Sequence, residues 1–163
     1  MENHIEKVHS LLTKFDTAML VTQGLDRVQH ARPMGIAKAE HNGDVWFFTG
    51  RSGRVLHEIA EDPVVLLVFQ DERSAYLSMR GNARLVQDRA RVKEFWKEAY
   101  KTWFPGGIDD PDLALIAVGP VSAEYWDNRG MNKLEYAFEA AKAYVRGEKP
   151  DVSDADQHAK VAM

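Results

Sequence analysis

The chain has 163 residues, 45% of them apolar, a formal net charge of −4 and no cysteine. That length supports one domain with a real core but not two, and the apolar share argues against a disordered chain. Without cysteine there is no disulfide, thiolate metal site or thiol nucleophile, and the negative balance gives no global field toward nucleic acid or anionic lipid.

Met1 to Glu6 lacks the basic-then-apolar layout of a signal peptide. No apolar run approaches the ~20 residues that span a bilayer, so a cytoplasmic protein with neither a membrane nor a nucleic-acid partner is expected. Ile5, Val8, Leu12 and Phe15 recur at helical spacing and predict a short opening helix. Thr17 to Gln23 is rich in strand formers and ends at Gly24. Val28 to Glu40 is expected to be one long strand, which Pro33 confines to an edge or a bulge. His41-Asn42-Gly43-Asp44 predicts a hairpin turn, since Asn-Gly tolerates positive φ. Val45 to Thr49 and Val64 to Phe69 are almost continuous apolar runs, so both faces of each strand are expected to be covered.

Between those runs, Ser52 is expected to cap a helix with Val55, Leu56, Ile59 and Ala60 on one side. Ala75 to Leu85 alternates small or apolar odd positions with Tyr76, Ser78, Arg80, Asn82 and Arg84, a half-buried strand. Asp88 opens a helix with Val92, Phe95, Trp96 and Ala99 at core spacing. Leu113 to Val118 and Val121 to Trp126 are expected to be two strands. Leu134, Ala137, Phe138 and Ala141 mark a last helix that ends near Gly147. Residues 1–147 are expected to form one domain that includes this helix. Residues 148–163 form a polar, flexible tail whose tip is left open. About six strands that do not alternate regularly with helices predict an antiparallel barrel rather than a doubly wound parallel sheet.

The segment Phe48-Thr49-Gly50-Arg51-Ser52-Gly53-Arg54 runs from a buried strand through a glycine turn into a helix. A helix N-terminus offers unpaired N–H groups and a partial positive charge, and two arginines and two hydroxyls add donors. On these residues alone the segment is either a phosphate cradle or a capped helix with solvated arginines. It is neither a Walker loop nor a dinucleotide fingerprint. Arg32, in Arg32-Pro33-Met34, either reaches the same anion from a strand placed beside Val45 to Thr49 by the hairpin or makes a surface ion pair. The aromatic loop Trp103-Phe104-Pro105-Gly106-Gly107 is either a ligand or partner surface or a loop folded back over the core. The six histidines show no metal spacing, Asp109, Asp110 and Asp112 do not follow the calcium-loop pattern, and no metal site is expected. No side chain stands out as a catalytic acid, base or nucleophile.

Taken in order, Ala18-Met19-Leu20-Val21-Thr22, Arg32-Pro33-Met34, Val45-Trp46-Phe47-Phe48-Thr49, Ser52-Gly53-Arg54, Tyr76 to Gly81, Trp103-Phe104-Pro105-x-Gly107, Asp110-Pro111 and Glu124-Tyr125-Trp126-Asp127 resemble the pyridoxamine 5′-phosphate oxidase-like flavoproteins, in particular their general stress protein branch. The resemblance implies a mainly β, α+β fold: a six-stranded antiparallel split β-barrel with short flanking helices. It implies a homodimer with the flavin site at its interface, and FMN as cofactor, with FAD as the weaker alternative. Arg32, Ser52 and Arg54 would hold the phosphate, and Pro33, Met34, Phe48, Thr49 and Gly53 would line the site. Tyr76 and Trp103 would approach from the partner chain. Position 54 is usually lysine in this branch, and arginine keeps the charge with a different reach. True pyridoxamine phosphate oxidases carry a C-terminal segment rich in Trp, Arg and His. Here Asn132 to Met163 is an amphipathic helix and an acidic tail, which argues against vitamin B6 oxidation. The resemblance leaves two functions open: an FMN-dependent oxidoreductase passing electrons from a reduced nicotinamide to a small acceptor, and a non-catalytic protein that stores, buffers or senses flavin. A haem-binding relative lacks an evident axial histidine.

Overall fold

The computed structural model describes residues 3–72, 75–127 and 158–163. In chain order the elements are α1 His4–Leu12, β1 Thr17–Gln23, β2 Gln29–Gly35, β3 Lys38–Ala39, β4 Val45–Gly50, α2 Arg54–Glu61, β5 Val64–Gln70, β6 Ala75–Val86, α3 Arg89–Phe95, β7 Leu113–Asp127 and β8 His158–Ala162. Two short 3-10 turns, Glu98–Thr102 and Gly107–Asp109, lie between α3 and β7. The helix expected over Leu134 to Ala141 and the tail up to residue 157 lie outside the described residues.

All strand pairs are antiparallel, in the order β2-β1-β5-β6-β7-β4-β3 with β8 added on β7. The predicted strand Val28 to Glu40 is two strands. β2 pairs with β1; beyond Gly35 the chain leaves β1, and the Ala37 N–H bonds the Trp46 carbonyl to begin the β3–β4 hairpin. That change of partner curls the sheet into a barrel. It is split where β2 and β4 approach without pairing. Gly43 turns the hairpin with φ of 90°, and the Glu40 N–H donates to the Asp44 carbonyl. Pro33 sits on β2, an edge strand of the path, where its missing N–H costs no ladder bond.

The main core gathers one face of the sheet, with Leu20, Phe47, Leu67, Phe69, Leu77, Met79, Ile116 and Tyr125 fully covered under α1 and α2. Asn3 caps α1 by accepting from the Ile5 N–H at 3.1 Å, and the helix buries Val8, Leu11 and Leu12. Each such aliphatic side chain stabilises the fold by about 1.5–3 kcal/mol. A smaller cluster holds Trp46, Phe48, Phe95, Phe104, Leu113 and Leu115 on the other face of β4. β4 is therefore covered on both sides, as its apolar run predicts.

β5 differs from that expectation. Val65, Leu67 and Phe69 are buried, but Val64, Leu66 and Val68 stand 37–39% exposed, because no helix of the described residues covers the outer face. The two strands expected at Leu113 to Val118 and Val121 to Trp126 are one strand. The Gly119-Pro120 step is absorbed by a register shift opposite Arg80 and Gly81. A Cβ on Gly81 would lie 2.4 Å from the Gly119 carbonyl oxygen, so the bulge requires glycine. The tip of the tail, which the sequence leaves open, is strand. β8 lays Ala159 and Val161 against the main core and pairs with Ser122 to Trp126 of β7. Among the described residues no helix is long and apolar enough to cross a membrane.

Candidate functional site

β1, β2 and α2 meet at one end of the main core. Alternation along β2 turns His30, Arg32 and Met34 inward and Pro33 outward. The register sets His30 against Thr22 and Arg32 against Leu20. α2 packs on this end and places Glu58, a 4% exposed carboxylate, beneath the strand pair. Arg32 donates through Nη1 to the Thr22 hydroxyl at 2.7 Å and through Nη2 to Glu58 Oε2 at 3.0 Å. The Thr22 hydroxyl donates to the same oxygen of Glu58. His30 Nδ1 lies 2.8 Å from Glu58 Oε1 without hydrogen-bond alignment, and Arg54 Nε stands 3.9 Å from that oxygen. Burial pushes the Glu58 carboxyl upward. The Thr22 and Arg32 hydrogen bonds and the charge of Arg32 outweigh burial and hold it below its ordinary value.

Two arginines and a histidine thus surround a single carboxylate. Arg32 uses two of its five N–H donors on Thr22 and Glu58. The Arg54 side chain is 67% exposed. Arg54 is the first residue of α2, and the cap position is Gly53 rather than the predicted Ser52. No side chain caps the helix and no acid stands in its first turn. Its leading N–H groups therefore remain available to an anion.

Ser52 is turned away from the cap by Asp112. The Ser52 N–H donates to Asp112 Oδ1 at 2.7 Å, and the Arg51 N–H donates to the Asp112 carbonyl at 2.7 Å. The Ser52 backbone and side-chain hydrogen bonds keep the Asp112 carboxyl below its ordinary value. A Cβ on Gly50 would sit 2.6 Å from Asp112 Oδ2, so this approach needs glycine. Part of the predicted cradle is therefore filled by the protein's own carboxylate.

The structure gathers Arg32, Arg54 and Gly53 at this end, with Met34 half-buried on the same face of β2. Arg32 arrives on β2 paired with β1, not on a strand hydrogen-bonded to β4 as the Asn42-Gly43 turn predicts. Thr49 is buried on the Phe47 side of β4. Phe48 points the other way and packs against Trp96 and Tyr100, with centroids 5.8 and 5.1 Å away. Tyr76 and Pro33 lie on the outer face of the sheet, where Tyr76 cannot meet Arg32 of its own chain. The aromatic loop divides: Phe104 is buried in the smaller cluster, and Trp103 is 78% exposed. A groove of about 360 Å³ beside α3 involves none of these residues; its Arg89 is tied to the Ile108 carbonyl and to Asp109.

Sequence reading missed His30, Thr22 and Glu58. The inward alternation of β2 was a usable signal for His30. Glu58 follows Arg54 at i+4 on α2 and looks like the exposed half of a surface pair, yet it is buried.

The sequence matches the family described as pyridoxamine 5′-phosphate oxidase like over residues 3–151. The fold is similar to a solved protein from Jannaschia sp. CCS1 assigned as general stress protein 26, with TM-score 0.76 and 26% identity, covering 100% of both chains. It is also similar to a general stress FMN/FAD binding protein from Xanthomonas citri, with TM-score 0.67 and 29% identity over 78% of this chain and 90% of that one. Protein bli-3 of Neurospora crassa is 25% identical over 136 residues, which cover 77% of this chain and 65% of bli-3, just under two thirds of that relative's length.

Proposed function

The chain belongs to the pyridoxamine 5′-phosphate oxidase-like family, and from that premise we propose that it binds a flavin carrying a phosphate, FMN ahead of FAD. The observation behind this is the uncapped N-terminus of α2 with Arg54 at its first position and Arg32 beside it. Two arginines facing one carboxylate leave donors and positive charge for an anion, which suits a phosphate and gives nothing to bare riboflavin. Gly53 lets the anion approach the helix backbone, and Ser52, held by Asp112, stands beside it in the chain as the further donor proposed for the phosphate.

The flavin site is completed by a second copy of the chain. Met19, Val64, Leu66 and Val68 form an exposed apolar patch on the outer sheet face, next to Tyr76 and Trp126. A second copy packed on this patch would bury it together with Tyr76, and the family resemblance makes Tyr76 and Trp103 the residues that one protomer would offer to the flavin of the other.

When bound, FMN supplies the electron-transfer chemistry. Arg32 and Arg54 hold its phosphate, and the strands beside them orient the ring and exclude water. The function is that of an FMN-dependent oxidoreductase taking electrons from a reduced nicotinamide. The alternative, a flavin carrier without turnover, is favoured by one observation: the buried carboxylate at the site, Glu58, is committed to Thr22, Arg32 and His30.

The visible spectrum of the purified protein, followed by identification of the chromophore released by heat, tests the cofactor. FMN is expected; a colourless protein that takes up no added FMN would overturn the reading. Anaerobic bleaching of bound flavin by reduced nicotinamide, faster than that of free FMN, marks the enzyme. Bleaching at the rate of free FMN marks the carrier.

A further inference from the structure

We propose that His30 is a third phosphate-binding side chain, set in place by Glu58, and that it takes up a proton when the phosphate arrives. The inference rests on the flavin-phosphate reading above. Its basis is the tautomer that the neighbours of the ring demand.

Arg54 Nη1 stands 3.1 Å from His30 Nε2. A guanidinium nitrogen only donates, so Nε2 must accept and carries a lone pair. The ring proton is then on Nδ1, the atom 2.8 Å from the Glu58 carboxylate. Nδ1 is buried and makes no aligned hydrogen bond, and the Glu58 carboxylate faces its N–H dipole at close range. The Arg54 contact requires the Nε2 lone pair, and the neutral form that carries it has its ring proton on Nδ1, toward Glu58 on α2.

An anionic oxygen entering beside Arg54 meets that lone pair. Two acceptors repel, so the oxygen fits only if Nε2 gains a proton. Protonated Nε2 can no longer accept from Arg54, which releases the exposed guanidinium. Both groups then donate to the oxygen between them. The proton comes from solvent and stays on Nε2, and no covalent bond is made or broken. Around His30 the charged neighbours are Glu58 and Arg54 from α2 and Arg32 from its own strand. Asp26 in the β1–β2 turn adds a carboxylate: one of its oxygens and one of Glu58 come within 4 Å of the same point above Gly24. Two carboxylates and two arginines cancel and leave a phosphate dianion uncompensated, and a protonated His30 supplies one of the two positive charges it lacks.

Calorimetric titration of the full-length protein with FMN, in two buffers of different ionisation enthalpy, counts the protons. It is run between about pH 7.5 and 8.5, above the second ionisation of a phosphomonoester. Wild type is expected to take up about one proton per FMN and to lose up to about tenfold in affinity across that pH unit. Riboflavin should bind without proton uptake, and His30→Gln, which keeps a donor but cannot titrate, should bind FMN without uptake or pH slope. No proton uptake by wild type on binding FMN, or the same uptake in His30→Gln, would overturn the role of His30. FMN bound no tighter than riboflavin would instead overturn the phosphate reading, and this inference with it.

Discussion

Replacing Arg32 by alanine removes the partner that holds a buried charge. Glu58 is 4% exposed and keeps Thr22 and His30 when Arg32 is lost. Breaking a buried pair by removing one partner costs about 3–5 kcal/mol. The Arg32 side chain is 22% exposed, so water compensates in part, and the expected loss is about 2–3 kcal/mol. The pH dependence has a definite sign. In the wild type the Glu58 carboxyl is held below 4.5. Its contribution to stability is present above that value and is lost as pH falls through the lower folded value. In Arg32→Ala burial dominates and the carboxyl rises, so the folded variant binds a proton that the wild type does not. Its deficit is then full near neutrality and shrinks as pH drops toward and below the ordinary carboxyl value. Urea unfolding of both proteins at neutral pH and near pH 4 measures this. A deficit within about 0.5 kcal/mol at neutrality, or one that does not shrink in acid, would mean that Arg32 does not hold Glu58. Pairing Arg32→Ala with Glu58→Gln should cost less than the sum of the two changes.

Arg54→Ala should weaken FMN about ten- to hundredfold and leave riboflavin unchanged; fluorescence titration reads both. With this side chain 67% exposed, stability should stay within about 0.5 kcal/mol of wild type. The Arg32 and Arg54 losses in FMN affinity should be non-additive, since one anion couples them. Gly81→Ala should destabilise by about 3 kcal/mol, seen as a lowered Tm, because the new Cβ would meet a backbone carbonyl at 2.4 Å. Val68→Asp, on the exposed apolar face, should yield monomers in sedimentation and weaken FMN; dimers with unchanged affinity would place the interface elsewhere.

Local signals carried most of the fold. The alternation in Ala75 to Leu85, the Asn-Gly turn and the spacing of Val8 and Leu12 each act within a few residues, and the structure follows them. What escaped depends on partners distant in sequence. The break after Gly35 is set by Trp46 becoming the new hydrogen-bond partner. The continuity of β7 through Pro120 is set by the glycine opposite it. β5 resembles a doubly covered strand because exposed valines and leucines are indistinguishable from buried ones until the outer face is seen. At the site, Arg32 and Arg54 were legible as basic residues near a helix start. Asp112 capturing the Ser52 N–H joins positions 60 apart, and Glu58 joining β1 and β2 through α2 has no local signature.

The proposed function requires this end of the barrel to hold a flavin by its phosphate. Titration of the cofactor-free protein with FMN and with riboflavin, at low and at high salt, tests it most directly. FMN should bind at least about tenfold tighter, and the gap should narrow as salt screens the arginines. Equal affinities at both salt concentrations would contradict it.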